Sequence, residues 1–105
     1  MIGYHYTPDE LIRQADVPSD GILSRTLLSD DRVKLVIFGF DTGQELSEHT
    51  SSMPATLYFV KGEATVTLGD TVHEVGAGSW VYMEAGLTHA VVAKSPVVLL
   101  LTLVK

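Results

Sequence analysis

Two histidines carry most of the chemistry this sequence can support. His49 closes the run Gly43-Gln44-Glu45-Leu46-Ser47-Glu48-His49, and His89 closes Gly86-Leu87-Thr88-His89 forty residues later. The chain has four histidines and no cysteine. An imidazole can act as general acid or base, as a partner for an acidic ligand, or as a ligand for a divalent transition metal. Without cysteine there is no disulfide, no thiolate metal site and no cysteine nucleophile. Ser51 is the hydroxyl nearest His49 in sequence, but no Ser-His-Asp arrangement can be identified around it. No phosphate-cradling glycine loop is present either. The plainer reading of His49 and His89 is that of hydrogen-bonded core histidines. Against it, both adjoin glycine-rich turns. His73 shares a strand face with Val75 and reads as a semi-buried packing residue, and His5 as solvent-facing.

The elements that must position these residues are short strands. Ile22 to Leu28, Val33 to Phe40, Leu57 to Phe59, Ala64 to Leu68, Thr71 to Val75, Trp80 to Met83, His89 to Ala93 and Val97 to Val104 carry strand signals. Turn residues separate them: Ser29-Asp30-Asp31, Asp41-Thr42-Gly43, Gly69-Asp70 and Gly76-Ala77-Gly78. Lys61-Gly62-Glu63 reads as a hairpin turn. The only helix signal covers residues 7 to 15, where Thr7 is placed to cap, Pro8 suits the first turn, and Asp9 and Glu10 favour its positive end. Eight to ten short strands and no long helix predict an all-β antiparallel sandwich or barrel.

The glycine and histidine spacing resembles the two motifs of the cupin superfamily, small jelly-roll barrels that usually hold a metal between such histidines. The first motif runs from Gly43 through His49 to Gly62, and the second from Gly78 through Gly86 to His89. Ser51, Ala55 and Glu84 stand where the pattern has histidine, glutamate and proline. More narrowly, the chain is similar to a group of short single-domain cupins of unknown function (RmlC-like barrels) that carry Gly-Gln-Glu-Leu-Ser-Glu-His and typically lack the second histidine and the glutamate. The resemblance implies a double-stranded β-helix in which residues 33–104 form the core, preceded by an extension and first strand over 1–32.

Strand alternation puts His49 and Ser51 on one inner face, with Ala55, Leu57 and Phe59 inward from a second strand and His89 and Val91 from a third. With Val66, Val81 and Met83 as floor, this predicts an apolar pocket with few polar anchors, suited to a small molecule such as an organic acid. Two imidazoles and a serine hydroxyl are a poor metal set, so a metal-free or weakly metal-binding site is expected. The alternatives are a metal-dependent isomerase, lyase or dioxygenase that uses His49 and His89, and an assembly unit whose pocket is vestigial.

Composition bounds the partners. With 105 residues the chain is expected to form one domain, 1–105. Seven basic and thirteen acidic residues give a net charge of −6, which disfavours nucleic acid and anionic membrane surfaces. The first residues lack a basic start followed by an apolar run, so a cytoplasmic protein is expected. Val97 to Val104 is apolar on both faces, and Trp80 and Tyr82 point away from the interior. A homodimer through these residues is therefore expected, unless the N-terminal segment with Tyr4, Tyr6, Leu11 and Ile12 folds over the stripe.

Overall fold

A computed structural model describes residues 3–105 as one short helix followed by nine strands. The helix is α1 (Pro8–Gln14), and the strands are β1 (Ile22–Ser29), β2 (Val33–Phe40), β3 (Glu45–His49), β4 (Ala55–Lys61), β5 (Ala64–Leu68), β6 (Thr71–Val75), β7 (Trp80–Met83), β8 (His89–Ala93) and β9 (Val97–Val104). One sheet has the order β1-β2-β9-β4-β7 and the other β3-β8-β5-β6. All pairings between strands are antiparallel. The chain crosses repeatedly from one sheet to the other, which is jelly-roll topology.

Lys61-Gly62-Glu63 is not a hairpin. β4 pairs with β7 and β9, whereas β5 pairs with β6 and β8, so this turn is a corner between sheets. Gly62 has φ of +91°, and a Cβ there would overlap the Pro96 carbonyl oxygen. Local composition is the same for a hairpin and for such a corner, and only the long-range pairing tells them apart.

The inner faces of both sheets close on one apolar cluster. Phe40, Leu57, Phe59, Val66, Val91, Val97 and Leu99 lie at its centre, with Leu46, Leu68, Leu87, Leu101 and Leu103 partly buried around it. A second, smaller cluster lies on the outer face of the five-stranded sheet. There Ile37, Val60 and Val98 are covered by Leu11, Ile12 and Ala15 from α1 and its C-cap, with Leu27, Tyr58 and Leu100 alongside. Thr7 caps this helix: its hydroxyl accepts the Glu10 amide, and the Glu10 carboxylate accepts the Thr7 amide. These bonds hold the Glu10 carboxyl below its ordinary range.

The two apolar faces of β9 are therefore used within one chain. Val97, Leu99, Leu101 and Leu103 serve the interior, while Val98 and Leu100 lie in the helix-covered cluster. The stripe expected to lie open for a second chain is occupied by α1, because Leu11 and Ile12 supply the apolar partner that strand period alone could not choose. Leu99→Ala should lower stability by about 2–5 kcal/mol, read as a reduced denaturation midpoint. Leu100→Ala should cost clearly less, because Leu100 is only partly buried. Equal losses would mean that the outer cluster matters as much as the interior.

Candidate functional site at the mouth of the barrel

His49 ends β3 and His89 begins β8, and the two strands pair with an irregularity. Leu46 lies opposite Val91, yet His49, three residues on, lies opposite His89, only two residues back. β3 thus holds one extra residue across Ser47 and Glu48, a β-bulge. Leu46 packs on the core, so strict alternation from it would turn Glu48 inward and His49 outward. The bulge reverses that parity. It sets His49 beside His89, with ring centroids 4.1 Å apart and planes inclined at 61°.

Each ring is fixed by its own strand. The Nδ1 of His49 donates to the Ser47 carbonyl at 2.7 Å, and the Nδ1 of His89 donates to the Leu87 carbonyl at 2.9 Å. A carbonyl oxygen only accepts, so in the neutral rings Nδ1 carries the proton and Nε2 the lone pair. Neither Nε2 has a hydrogen-bond partner among the described residues. His89 is only 7% exposed, but no fully buried side-chain nitrogen or oxygen lacks a partner among the described residues. Its Nε2 must therefore reach the surface of the mouth, where His49 is exposed.

The other predicted site residues fall into two groups. Ser51 lies beyond the end of β3, so strand alternation does not carry to it. Its hydroxyl accepts the Met53 amide, and its carbonyl accepts the Gly86 amide, which ties the 50–54 loop to the 84–88 loop. Ala55, Leu57, Phe59, Val66, Val81, Met83 and Val91 belong to the packed interior. Phe59 and Val66 are 0% exposed, so no water-sized space lies against them, and they form the foundation of the mouth and not its wall. Leu68 sits opposite His89 on β5, a neighbour that the motif spacing gave no reason to choose. His73 is exposed, not semi-buried: it faces inward from β6, but β6 is an edge strand with little above it.

The cleft beside the N-terminal segment lacks this chemistry. It measures about 670 Å³ and lies between Tyr4, Tyr6 and the outer face of β1 and β2. Its one ionisable carboxylate, Asp30, is already held by the Arg32 and Val33 amides, which keep it below its ordinary range.

The cupin domain family matches residues 36–104, about two thirds of the chain. The chain belongs to that family. A conserved protein of unknown function from Streptococcus pyogenes is similar over 100% of this cupin and 90% of its own length, at 28% identity and a TM-score of 0.86. A cupin superfamily protein from Desulfitobacterium hafniense is similar at 24% identity, with a TM-score of 0.81 over 85% of this chain and 82% of its own. An RmlC-like cupin from Shewanella frigidimarina shares the fold at 22% identity and a TM-score of 0.79, covering 86% of this chain and 80% of its own. No curated protein matches the sequence.

Cupins often hold a metal, and the donor set here does not suit a closed transition-metal site. Such sites take three or four protein ligands. This mouth offers two imidazole nitrogens, and among the described residues no group of three or more His, Cys, Asp or Glu side chains converges. The Ser51 hydroxyl is a weak donor already engaged with Met53. Zn²⁺ or Ni²⁺ affinity, read in competition with a chelating dye, should therefore be weak in the unmodified protein and should fall by at least about tenfold, roughly 1.4 kcal/mol, in His49→Ala. If that variant binds as tightly as the unmodified protein, donors other than this pair hold the metal.

Proposed function

We propose that this cupin binds a small organic acid between His49 and His89. The observation that carries the reading is two imidazole rings with centroids 4.1 Å apart, each with its Nδ1 committed to a backbone carbonyl and its Nε2 left as an acceptor. A ligand that engages both acceptors must bring a proton donor. A bare carboxylate meets two lone pairs and a chain of charge −6, so it is held only when a proton comes with it. One imidazole then becomes an imidazolium that donates to the carboxylate, a charge-assisted bond stronger than a neutral one. The second imidazole accepts from a hydroxyl, enol or second acid group. Leu68 and Leu87 supply apolar surface beside the pair.

A metal-dependent isomerase, lyase or dioxygenase is the second reading. It uses the same two nitrogens but requires a donor brought by the substrate. Metal content after chelator-free purification separates the two, because a stoichiometric transition metal favours the enzyme.

Titration with small mono- and dicarboxylates, followed by histidine ring resonances, tests the first reading. Signals of His49 and His89 should shift together, and calorimetry in buffers of different ionisation enthalpy should show uptake of up to about one proton per site. His49→Ala or His89→Ala should each weaken binding by about 1.5–3 kcal/mol, the loss of a charged hydrogen bond. Acids that move neither resonance, or bind without proton uptake, would rule the reading out.

A further inference from the structure

In β1, as in β3, the register slips by one residue. β1 pairs regularly with β2 from Ile22 opposite Phe40 to Thr26 opposite Val36, and then jumps to Leu28 opposite Leu35. Leu27 is the extra residue, a bulge. Before it, Arg25 lies opposite Ile37, a member of the outer cluster, and Thr26 is on the inner side. Strict alternation would then turn Leu27 outward and Leu28 inward. The bulge instead sets Leu28 opposite Leu35, which shares the outer face with Ile37 two residues on. Two successive leucines therefore lie on the outside of the sheet.

Leu27, Leu28 and Leu35 floor the cleft of about 670 Å³ beside the N-terminal segment. Tyr4 and Tyr6 wall it, and Ser29 and Asp30 line it where β1 ends. The three leucines and Tyr6 are half-buried, and Tyr4 is exposed. An apolar floor with aromatic walls and few polar groups is the usual composition of a small-molecule site, and the volume falls in the usual range of about 300–1,000 Å³. The cleft shares no residue with the mouth that carries His49 and His89.

Asp30 is the one charged residue that lines it among the described residues. Its Oδ1 accepts the Arg32 and Val33 amides at 2.8 and 2.9 Å, which favours the ionised form. Its Oδ2 takes no hydrogen bond among the described residues. Two cations stand near without pairing to it. Lys105 Nζ donates to the Asp30 carbonyl and the Ser29 hydroxyl. Arg32 meets Asp30 through its amide, and the one ion pair among the described residues joins Lys94 and Glu74.

We infer that this cleft binds a small organic amine as its ammonium ion, with the apolar body on Leu27, Leu28 and Leu35 and the charge at Asp30. An ammonium N–H donates to the free carboxylate oxygen, a charge-assisted bond. Tyr4 and Tyr6 add to the attraction, because the face of a phenol ring draws a cation. The net charge of −6 enriches cations and depletes anions around the whole chain. An acid would meet Asp30 with no cation lining the cleft to offset it, and a neutral apolar molecule would leave Oδ2 unused. The cleft and the mouth thus take ligands of opposite charge.

Phenethylammonium, with phenethyl alcohol and hydrocinnamate as its neutral and anionic counterparts, tests the inference on the full chain. Ring resonances of Tyr4 and Tyr6 and methyl resonances of Leu27, Leu28 and Leu35 should shift with the ammonium at millimolar concentration. Its affinity should exceed that of the alcohol by about fivefold, the size of an exposed charge contact. Hydrocinnamate should bind more weakly than either. Asp30→Asn keeps an oxygen to accept the Arg32 and Val33 amides, so the turn is retained; the ammonium should then bind no better than the alcohol. The three-ligand comparison on the unmodified protein decides even where that variant fails to fold. No shift at these residues, an acid that binds as well as the amine, or an ammonium preference that survives in Asp30→Asn would overturn the inference.

Discussion

The mouth of this barrel depends on one extra residue in β3. Without the bulge across Ser47 and Glu48, a carboxylate would stand opposite His89 and the His49 ring would face outward. With it, two imidazoles come into edge contact, and the Ser47 carbonyl accepts the His49 Nδ1 proton. Register and the side that the His49 ring faces are thus consequences of the same local irregularity, while the backbone bond sets the tautomer. The equivalent bond from His89 to the Leu87 carbonyl completes a pair whose reactive nitrogens point the same way in chemical terms: both accept.

Such a pair needs a rigid base. The strands that carry it rest on an interior in which Phe40, Phe59 and Val66 are fully enclosed. The outer cluster under α1 holds the opposite face of the five-stranded sheet, so that sheet is packed on both sides along β2, β9 and β4. Loops at the mouth are tied by backbone bonds, Gly86 to Ser51 and Gly69 to Thr88. The pair then sits on a small rim of a solid body, at the surface and not in a deep cavity.

Strand alternation made most of the fold legible. β2, β5, β7, β8 and β9 are all places where apolar residues recur every second position, and the capping signals of Thr7, Pro8 and Glu10 marked α1. The glycine and histidine spacing points to one site for His49 and His89, whose rings lie 4.1 Å apart. What the sequence hid is long-range or irregular. Ser47 and Glu48 have no composition that announces a bulge, and β3 is mostly exposed, so its strand carries little apolar period. A period of two carries Ser51 onto the face of His49, but the chain leaves the sheet at His49. The residues taken as pocket lining point inward as alternation requires, yet whether an inward side chain meets space or another side chain depends on packing across both sheets. Likewise, β9 showed two apolar faces without showing that Leu11 and Ile12 cover one of them.

The central claim is that both imidazoles present a bare Nε2 because the bulge and the backbone fix Nδ1–H. Long-range ¹H–¹⁵N correlation spectra of the neutral histidine rings test it directly. His49 and His89 should each show a protonated Nδ1 and an unprotonated Nε2, while the exposed His5 and His73, which make no such bond among the described residues, serve as internal references. A protonated Nε2 on either His49 or His89 would contradict the account, since the pair would then lack the two adjacent acceptors on which the site is built.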